Sequence, residues 1–329
     1  VSLAFIFPGQ GAQAVGMGRA LAEAFPAARA TFAEADEALG FPLSAICWEG
    51  PPERLRETRY AQPALLAHGV AAWRLLAERG LRPDWCAGHS LGEYTACVAA
   101  GAIGFRDAVR LVHLRGTLMY EAGRQRPGAM AAVLGVDREA AERLCRAVEA
   151  SGVVVPANLN APGQVVLSGE RAAVEAAAAA APEFGAKKVV MLEVSGAFHS
   201  PLMESAARGL AEALDATEIR DPRCPVVANV SAAPVRTADE IRAALKLQVL
   251  GAVRWEESMR RLLAEGVDRF VEVGTGKVLR GLLRSIERSA ASWNVEDPDS
   301  LAAACDGLGV RRPPPVGAGW SRGRTRPGR

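Results

Sequence analysis

The sequence lacks the features that would mark a metal, disulfide or membrane protein. Its six cysteines and four histidines are scattered, with no C-x-x-C pair and no spacing typical of a zinc site. No apolar run reaches the ~18 residues that a membrane helix needs. The first residues also lack the charged start and apolar core of a signal peptide. We therefore expect reduced cysteines, no bound metal and a cytoplasmic location.

A strong excess of charge is also missing. Lys and Arg number 39 against 37 Asp and Glu, but six of these arginines lie within residues 311–329, where there is no acidic residue. The remaining 33 basic residues leave the body slightly acidic, which does not support nucleic-acid binding. Residues 310–329 are rich in Pro, Gly and Arg, so we predict a disordered, solubilising tail, with contact to nucleic acid or acidic surfaces as the alternative.

The motif Gly88-His89-Ser90-Leu91-Gly92 has the G-x-S-x-G pattern of a nucleophile elbow. It follows an apolar run at 85–87 that suits a buried strand, and a helix-like stretch at 93–100 comes after it. In such an elbow the serine lies on a sharp turn where only glycine tolerates the nearby backbone. The N–H of Leu91 would then lie at a helix N-terminus, which favours a developing oxyanion.

A second glycine-flanked loop, Gly9-Gln10-Gly11, follows a strand predicted at residues 3–7. Its small neighbours would let the backbone of Gln10 approach a ligand and present an N–H to an active site. A plain turn is the alternative, because G-x-G without a third glycine at the proper spacing is a weak signal for nucleotide binding. The residues alone leave both interpretations open.

One arginine is out of place on a helix predicted at residues 105–120. At ~100° per residue, the apolar side chains of this helix form one arc, and Arg115 lies in the middle of it. Because a guanidinium stays charged, a buried arginine needs an anionic partner or a water-filled cleft. A structural ion pair and a side chain that snorkels to the surface are the alternatives to a functional role.

A serine nucleophile also needs a base, and histidine is the usual one near neutral pH. His68 and His113 fall on predicted helices, and His89 adjoins the serine on a turn that would point the two side chains apart. His199 lies on a loop, preceded by small residues and followed by Ser-Pro, where it is poorly placed for core packing. It is therefore the best candidate for the base.

Residues 128–195 change character and show the element order βαββαβ, which is the ferredoxin-like arrangement. The predicted strands span residues 129–134, 153–159, 164–168 and 187–194, and the predicted helices span 138–150 and 171–184. We interpret this segment as a small inserted domain. Outside it, we predict an amphipathic helix at 62–79, strands at 226–230 and 269–273 and a helix at 238–249. The pattern weakens beyond residue 289.

Several separate motifs together resemble malonyl-CoA:acyl-carrier-protein transacylases, and they are also similar to the acyltransferase domains of polyketide synthases. The motifs are Phe7-Pro8-Gly9-Gln10-Gly11, Gly88-His89-Ser90-Leu91-Gly92-Glu93-Tyr94, Arg115 and Gly196-Ala197-Phe198-His199-Ser200-Pro201. The resemblance implies an α/β fold in which a large α/β-hydrolase-like domain, residues 1–127 and 196–309, carries the ferredoxin-like domain, residues 128–195. The basic tail has no counterpart in this family.

The resemblance also implies an activity. The malonyl group of malonyl-CoA would pass to the phosphopantetheine thiol of an acyl carrier protein through a malonyl-serine intermediate, for fatty acid or polyketide synthesis. Ser90 would be the nucleophile and His199 the general base, and the N–H groups of Gln10 and Leu91 would form the oxyanion hole. Arg115 would hold the malonyl carboxylate in a bidentate pair.

Two further residues take roles from the resemblance alone. Gln248 resembles a glutamine whose backbone carbonyl helps to orient the histidine, so that no acidic triad member is needed. Phe198 resembles the bulky residue of malonyl-selecting loops, which leaves less room for a 2-methyl branch.

The resemblance implies no cofactor. The carrier is expected to be acidic and to bind transiently, and the chain to be a monomer with no nucleic-acid or membrane partner.

Other functions remain open at this point. A serine esterase or thioesterase would share the elbow and the base but release the acyl group to water; a hydrolase of neutral esters has no need of a buried cation, so Arg115 separates the two. A polyketide-pathway acyltransferase with a different acyl preference is a second alternative. A non-catalytic carrier-binding homologue is a third, and the matched polar residues argue against it.

Overall fold

The computed structural model of the chain describes residues 2–310, so the tail predicted at 310–329 lies, except for Val310, outside the described residues. Ten strands form within that range. In chain order they are β1 (Leu3–Phe7), β2 (Trp85–Gly88), β3 (Gly128–Leu134), β4 (Val154–Ala161), β5 (Gln164–Glu170), β6 (Lys188–Met191), β7 (Val226–Val227), β8 (Pro234–Val235), β9 (Arg269–Val273) and β10 (Ala291–Val295).

Fourteen α-helices occur in the same described part of the chain. They are α1 (Arg19–Ala24), α2 (Pro26–Leu39), α3 (Leu43–Glu49), α4 (Pro52–Arg56), α5 (Thr58–Glu78), α6 (Gly92–Ala99), α7 (Phe105–Gln125), α8 (Arg138–Ala147), α9 (Arg171–Ala180), α10 (Glu204–Ala216), α11 (Ala238–Gln248), α12 (Trp255–Ala264), α13 (Val278–Ile286) and α14 (Pro298–Gly307). None of these helices is both long and apolar enough to cross a membrane.

The larger sheet has the strand order β10-β9-β1-β2-β7-β8, and every neighbouring pair is parallel except β7 with β8. All five residues of β1 are buried, as expected for a strand in a parallel sheet with both faces covered. Phe7 of β1 lies beside Gly88 of β2. Because the two strands run in the same direction, the loops that carry Gln10 and Ser90 leave the sheet at the same edge.

The smaller sheet is antiparallel, with the strand order β4-β5-β3-β6. Its elements follow the chain order βαββαβ, so the α/β fold with a ferredoxin-like small sheet is confirmed. Backbone hydrogen bonds between β4 and Val253 join this sheet to the larger part of the chain. All four strands fall within residues 128–195; the domain boundaries themselves stay a prediction.

Helix α5 differs from its prediction. It begins at Thr58 rather than at 62, and 15 of its 21 residues are buried, because it packs against α2, α6 and α7. It is therefore a core helix rather than an amphipathic surface helix.

Pro63 inside α5 has no N–H for the carbonyl of Arg59. The imidazole Nδ1 of His113 contacts that carbonyl instead, at 2.9 Å, and this explains a histidine with no catalytic role.

In the C-terminal half, one strand was not predicted from the sequence and another is shorter than predicted. Regular structure continues past residue 289, where β10 pairs with β9 and Asp297 caps α14 through a reciprocal bond with Ser300. β10 alternates Trp and Val with Ser and Asn at the sheet edge, so its pattern is too polar to stand out. The strand predicted at 226–230 is only two residues long, because the chain turns after it towards Ser90.

Candidate active site

Ser90 lies on the turn between β2 and α6 with a φ of 50°, a left-handed conformation that is uncommon for serine. The flanking glycines are required sterically. A Cβ on Gly88 would lie 1.9 Å from the carbonyl carbon of Gly92, and a Cβ on Gly92 would lie 2.0 Å from the carbonyl oxygen of Phe7. The elbow predicted at 88–92 is therefore present, with its serine beside the loop that follows β1.

Asn229 holds this elbow in place and had no signal in the local sequence. Its Oδ1 accepts a hydrogen bond of 2.7 Å from the Ser90 N–H, and its Nδ2 donates one of 2.7 Å to the carbonyl of Gly88. The side chain is 1% exposed. Asn229 comes two residues after β7, so the early end of that strand supplies a clamp for the strained turn.

His199 is the histidine that the fold brings to Ser90. Its Nε2 lies 2.8 Å from the Ser90 Oγ, and its Nδ1 lies 2.9 Å from the carbonyl of Gln248 and 3.0 Å from that of Gly251. Because carbonyls only accept, Nδ1 must carry the proton, which leaves the lone pair of Nε2 facing the serine hydroxyl. Burial, and then the charge of Arg115, lower the pKa of His199 to about 3, so the ring is neutral near pH 7.

Arg115 is buried, as its place on the apolar arc predicted, with 1% of its surface exposed. Its Nη1 donates to the Gln62 Oε1 at 2.8 Å, and its Nη2 donates to the Gln248 Oε1 at 2.9 Å and to the Ser90 Oγ at 3.2 Å. No ion pair to Arg115 forms within residues 2–310. Burial lowers the pKa of the guanidinium, yet an arginine stays protonated. The structural ion pair considered for it is thus not present there.

Gln248, the last residue of α11, touches both functional side chains. Its carbonyl accepts from His199, its Oε1 accepts from Arg115, and its Nε2 donates 2.9 Å to the carbonyl of Ser90. The contact between the Gln248 carbonyl and the histidine is the one that the family resemblance led us to expect. The side-chain contacts were not foreseen, because they depend on where the fold places the end of α11 relative to Arg115 and Glu93.

Glu93 follows the elbow on α6 and is 2% exposed. Its Oε2 accepts from the Gln248 Nε2 at 2.6 Å and from the Asn229 N–H at 3.2 Å. Burial raises its pKa to about 7, partly opposed by these bonds and by the charge of Arg115. The residue was visible only as one letter of a motif, and its position behind the site comes from the fold.

The loop carrying Gln10 and the turn at Leu91 border one cleft with Ser90, Arg115 and His199. Gln10 is anchored by its side-chain Nε2, which donates to the Thr58 Oγ1 at 2.9 Å. Phe198 lines the same cleft. The seven predicted site residues therefore lie together: six border the cleft, and Gln248 supports it from behind.

The remaining histidines are held away from the nucleophile. His89 contacts Asn160 at 2.8 Å, and His68 contacts Thr275 and the carbonyl of Glu296. Residues 2–310 contain no group of three or more His, Cys, Asp or Glu side chains that could hold a metal ion. The serine, the neutral histidine and the buried guanidinium are the reactive groups that the fold brings together at this site.

An α/β fold that presents a serine on an elbow, a neutral histidine at hydrogen-bond distance and a buried cation beside them defines an acyl-transferring serine enzyme. Comparison with known proteins agrees. The model of the acyl transferase domain family matches residues 4–297. The chain belongs to this family.

The relatives are full-length matches. The malonyl CoA-acyl carrier protein transacylase of Bacillus subtilis (strain 168) is 48% identical over 93% of this chain and 97% of its own. The acyl-carrier-protein-S-malonyltransferase structure from Bartonella henselae has a TM-score of 0.91 at 43% identity, covering 94% of this chain and 100% of that one. A malonyl-transacylase solved in complex with its type II polyketide acyl-carrier protein has a TM-score of 0.90 at 45% identity, covering 93% and 99%.

Proposed function

We propose that this chain transfers a malonyl group from malonyl-CoA to the phosphopantetheine thiol of an acyl carrier protein, supplying fatty acid or polyketide synthesis. The observation that carries the proposal is Arg115, a buried guanidinium whose Nη2 lies 3.2 Å from the Ser90 Oγ and which has no ion-pair partner within residues 2–310. A buried unpaired charge is costly. It is useful where the acyl group brings the matching anion, as the carboxylate of malonyl does. The names of the relatives support the same substrate pair.

In the first half-reaction the Ser90 Oγ attacks the thioester carbonyl while the His199 Nε2 takes the hydroxyl proton. The carbonyl oxygen becomes an oxyanion, which the N–H groups of Leu91 and Gln10 stabilise. The C–S bond then breaks, and the coenzyme A sulfur leaves with the proton from His199. Throughout, Arg115 holds the malonyl carboxylate, and the product is a malonyl ester of Ser90.

In the second half-reaction the carrier's phosphopantetheine thiol gives its proton to His199 and attacks the ester carbonyl. Collapse of the second oxyanion breaks the ester bond, and His199 returns the proton to the Ser90 Oγ. Gln248 keeps the proton of His199 on Nδ1 in both halves, since its carbonyl accepts from that atom. Phe198 lines the cleft, where its ring would restrict a branch at the 2-position of the acyl group.

The mechanism uses no cofactor and no metal. We propose that the chain acts as a monomer in the cytoplasm and that an acidic carrier binds it transiently, without nucleic-acid or membrane partners. Gel filtration with light scattering tests the monomer, and a dimer that persists on dilution would refute it.

Intact-mass analysis tests the function itself. The native protein mixed with malonyl-CoA should gain one malonyl group, which should then move to added phosphopantetheinylated carrier. Ser90→Ala should gain none. An adduct lost to water at the same rate with and without the carrier would instead identify a serine thioesterase.

A further inference from the structure

Glu93 is a buried carboxylate that the mechanism above does not use. It lies behind the elbow with 2% of its surface exposed, and a single oxygen, Oε2, accepts both of its hydrogen bonds, from Gln248 and from the N–H of Asn229. No arginine or lysine forms an ion pair with Glu93 among residues 2–310. A buried acid without a direct cation partner is costly when ionised, so its location calls for an explanation.

The side-chain amide of Gln248 connects this acid to the cation of the site. Its Oε1 accepts from the Arg115 Nη2 at 2.9 Å, while its Nε2 donates to the Glu93 Oε2 at 2.6 Å. The amide is therefore oriented with its negative end towards the guanidinium and its positive end towards the carboxylate. The two charges face each other across one neutral group in a buried setting, where electrostatic interactions are weakly screened.

We propose, as an extension of the proposed function and resting on it, that Glu93 is the counter-charge of Arg115 and sets how strongly the site prefers an anionic acyl group. When Glu93 is ionised, it offsets the positive field of Arg115. When Glu93 is neutral, that field acts fully on the acyl group. Glu93 is thus a positioning and specificity-determining residue that acts through Gln248, without touching the substrate.

Glu93 is also the group that can change charge in the working pH range. Within residues 2–310, the groups that face it are Arg115 on α7, Tyr94 and Cys97 on its own helix, and the neutral amides of Gln248 and Asn229. Burial raises the pKa of the Tyr94 hydroxyl and of the Cys97 thiol above their usual ranges, so both stay neutral. Burial raises the pKa of Glu93 to about 7. A malonyl carboxylate bound at Arg115 favours the protonated acid, so malonyl binding is linked to proton uptake by Glu93.

The test compares two thioesters that differ in one charge, malonyl-pantetheine and acetyl-pantetheine, which avoid the titrating phosphates of coenzyme A. Single-turnover acylation of Ser90 is followed by intact mass from pH 6 to 8.5. The measured quantity is the second-order rate constant of acylation for each thioester. In the native protein, the ratio of the malonyl to the acetyl rate constant should fall about tenfold as the pH rises over this range. This is the effect expected if malonyl binding shifts the pKa of Glu93 by one unit. Changes in the serine, the base or the folding affect both substrates and cancel in the ratio.

The variant Glu93→Gln removes the charge but keeps an oxygen that can accept both hydrogen bonds. Its ratio should be independent of pH and should equal or exceed the native ratio at pH 6. Glu93→Ala loses both bonds as well, so both rates should fall while the ratio stays flat. Glu272→Gln is the matched control: Glu272 is another buried acid whose pKa burial raises to about 7, but it bonds the N–H groups of Leu279 and Arg280 away from the site.

Four results separate the possible failures. A native ratio that does not change with pH, or a Glu93→Gln ratio that follows the native curve, would overturn the counter-charge. A Glu272→Gln ratio that becomes flat would also overturn it, because the effect would then not be specific to Glu93. If the folded native protein formed no malonyl ester at any pH or reaction time, the proposed function would fail first, and this inference with it.

Discussion

Replacing Arg115 by alanine should abolish the preference for malonyl over acetyl thioesters while leaving Ser90 able to react. The guanidinium has five N–H donors. Its two Nη atoms donate three hydrogen bonds, to Gln62, Ser90 and Gln248. The Nε has no partner within the described chain. Donors therefore remain for a carboxylate, and hydrogen bonds to charged groups contribute about 1.5–3 kcal/mol each.

Two such bonds, less the cost of removing water from the carboxylate, give a loss of about 3 kcal/mol for malonyl, or roughly a hundredfold in rate constant. Acetyl has no carboxylate, so its rate constant should change little. The assay is single-turnover acylation of Ser90 by malonyl-CoA and acetyl-CoA, followed by intact mass. Circular dichroism checks folding, because the variant leaves the Oε1 atoms of Gln62 and Gln248 without their donor.

Arg115→Lys is the matched control. It keeps the charge but loses the planar fork that pairs with a carboxylate, so its preference should lie between those of the native protein and the alanine variant. A folded Arg115→Ala protein that still preferred malonyl as strongly as the native protein would refute the role given to Arg115. The malonyl selectivity would then need another cause, such as the shape of the cleft at Phe198.

Three other perturbations follow from the same contacts. Asn229→Ala removes both partners of the elbow, so it should lower stability by about 1–3 kcal/mol in urea denaturation and slow acylation of Ser90 by malonyl and acetyl alike; unequal slowing would contradict a purely positioning role. His199→Ala should slow acylation about 10²–10⁴-fold. Since the pKa of His199 is lowered to about 3, the native acylation rate should not fall as the pH decreases through 6.5; a pH–rate profile that shows such a fall would contradict this. The pKa of Glu272 is raised from 4.5 to about 7, so the folded protein holds this proton more tightly than the unfolded chain, and the resulting stability is present below pH 4.5 and lost as pH rises through 7. The unfolding free energy of the native protein minus that of Glu272→Gln should therefore fall by on the order of 2–3 kcal/mol between pH 4.5 and 8. A value that rose with pH would show the sign to be wrong.

Much of the site could be predicted from local patterns. The elbow could be predicted from the two glycines around Ser90, because backbone crowding there excludes any Cβ. The small sheet at 128–195 could be predicted from the order of its strands and helices. The burial of Arg115 followed from helical periodicity, since its place on the apolar arc depends only on its neighbours along α7. These features leave a local pattern in the sequence, even where the contact that requires them is distant along the chain, as it is for Gly92 against Phe7.

The partners of these residues could not be read in the same way. Asn229 bonds Ser90 across 139 positions, and Gln248 bonds Glu93 across 155. Neither amide stands out in sequence, because an asparagine or glutamine has the same letter whether it is exposed or holds a buried network. The core position of α5 and the strand β10 were misjudged for a related reason, since neighbouring elements decide which faces are covered.

The sequence by itself thus determined the reactive serine, its turn, the candidate base and the buried cation, because each depends on local backbone geometry or on periodicity. Only the tertiary structure decided which ring nitrogen of His199 carries its proton, that Arg115 has no ion-pair partner within residues 2–310, and that Glu93 faces it through Gln248. These are properties of groups on α6, α7, α11 and the loop of His199, which approach one another only in the folded chain. Charge and protonation respond to that burial rather than to the order of residues.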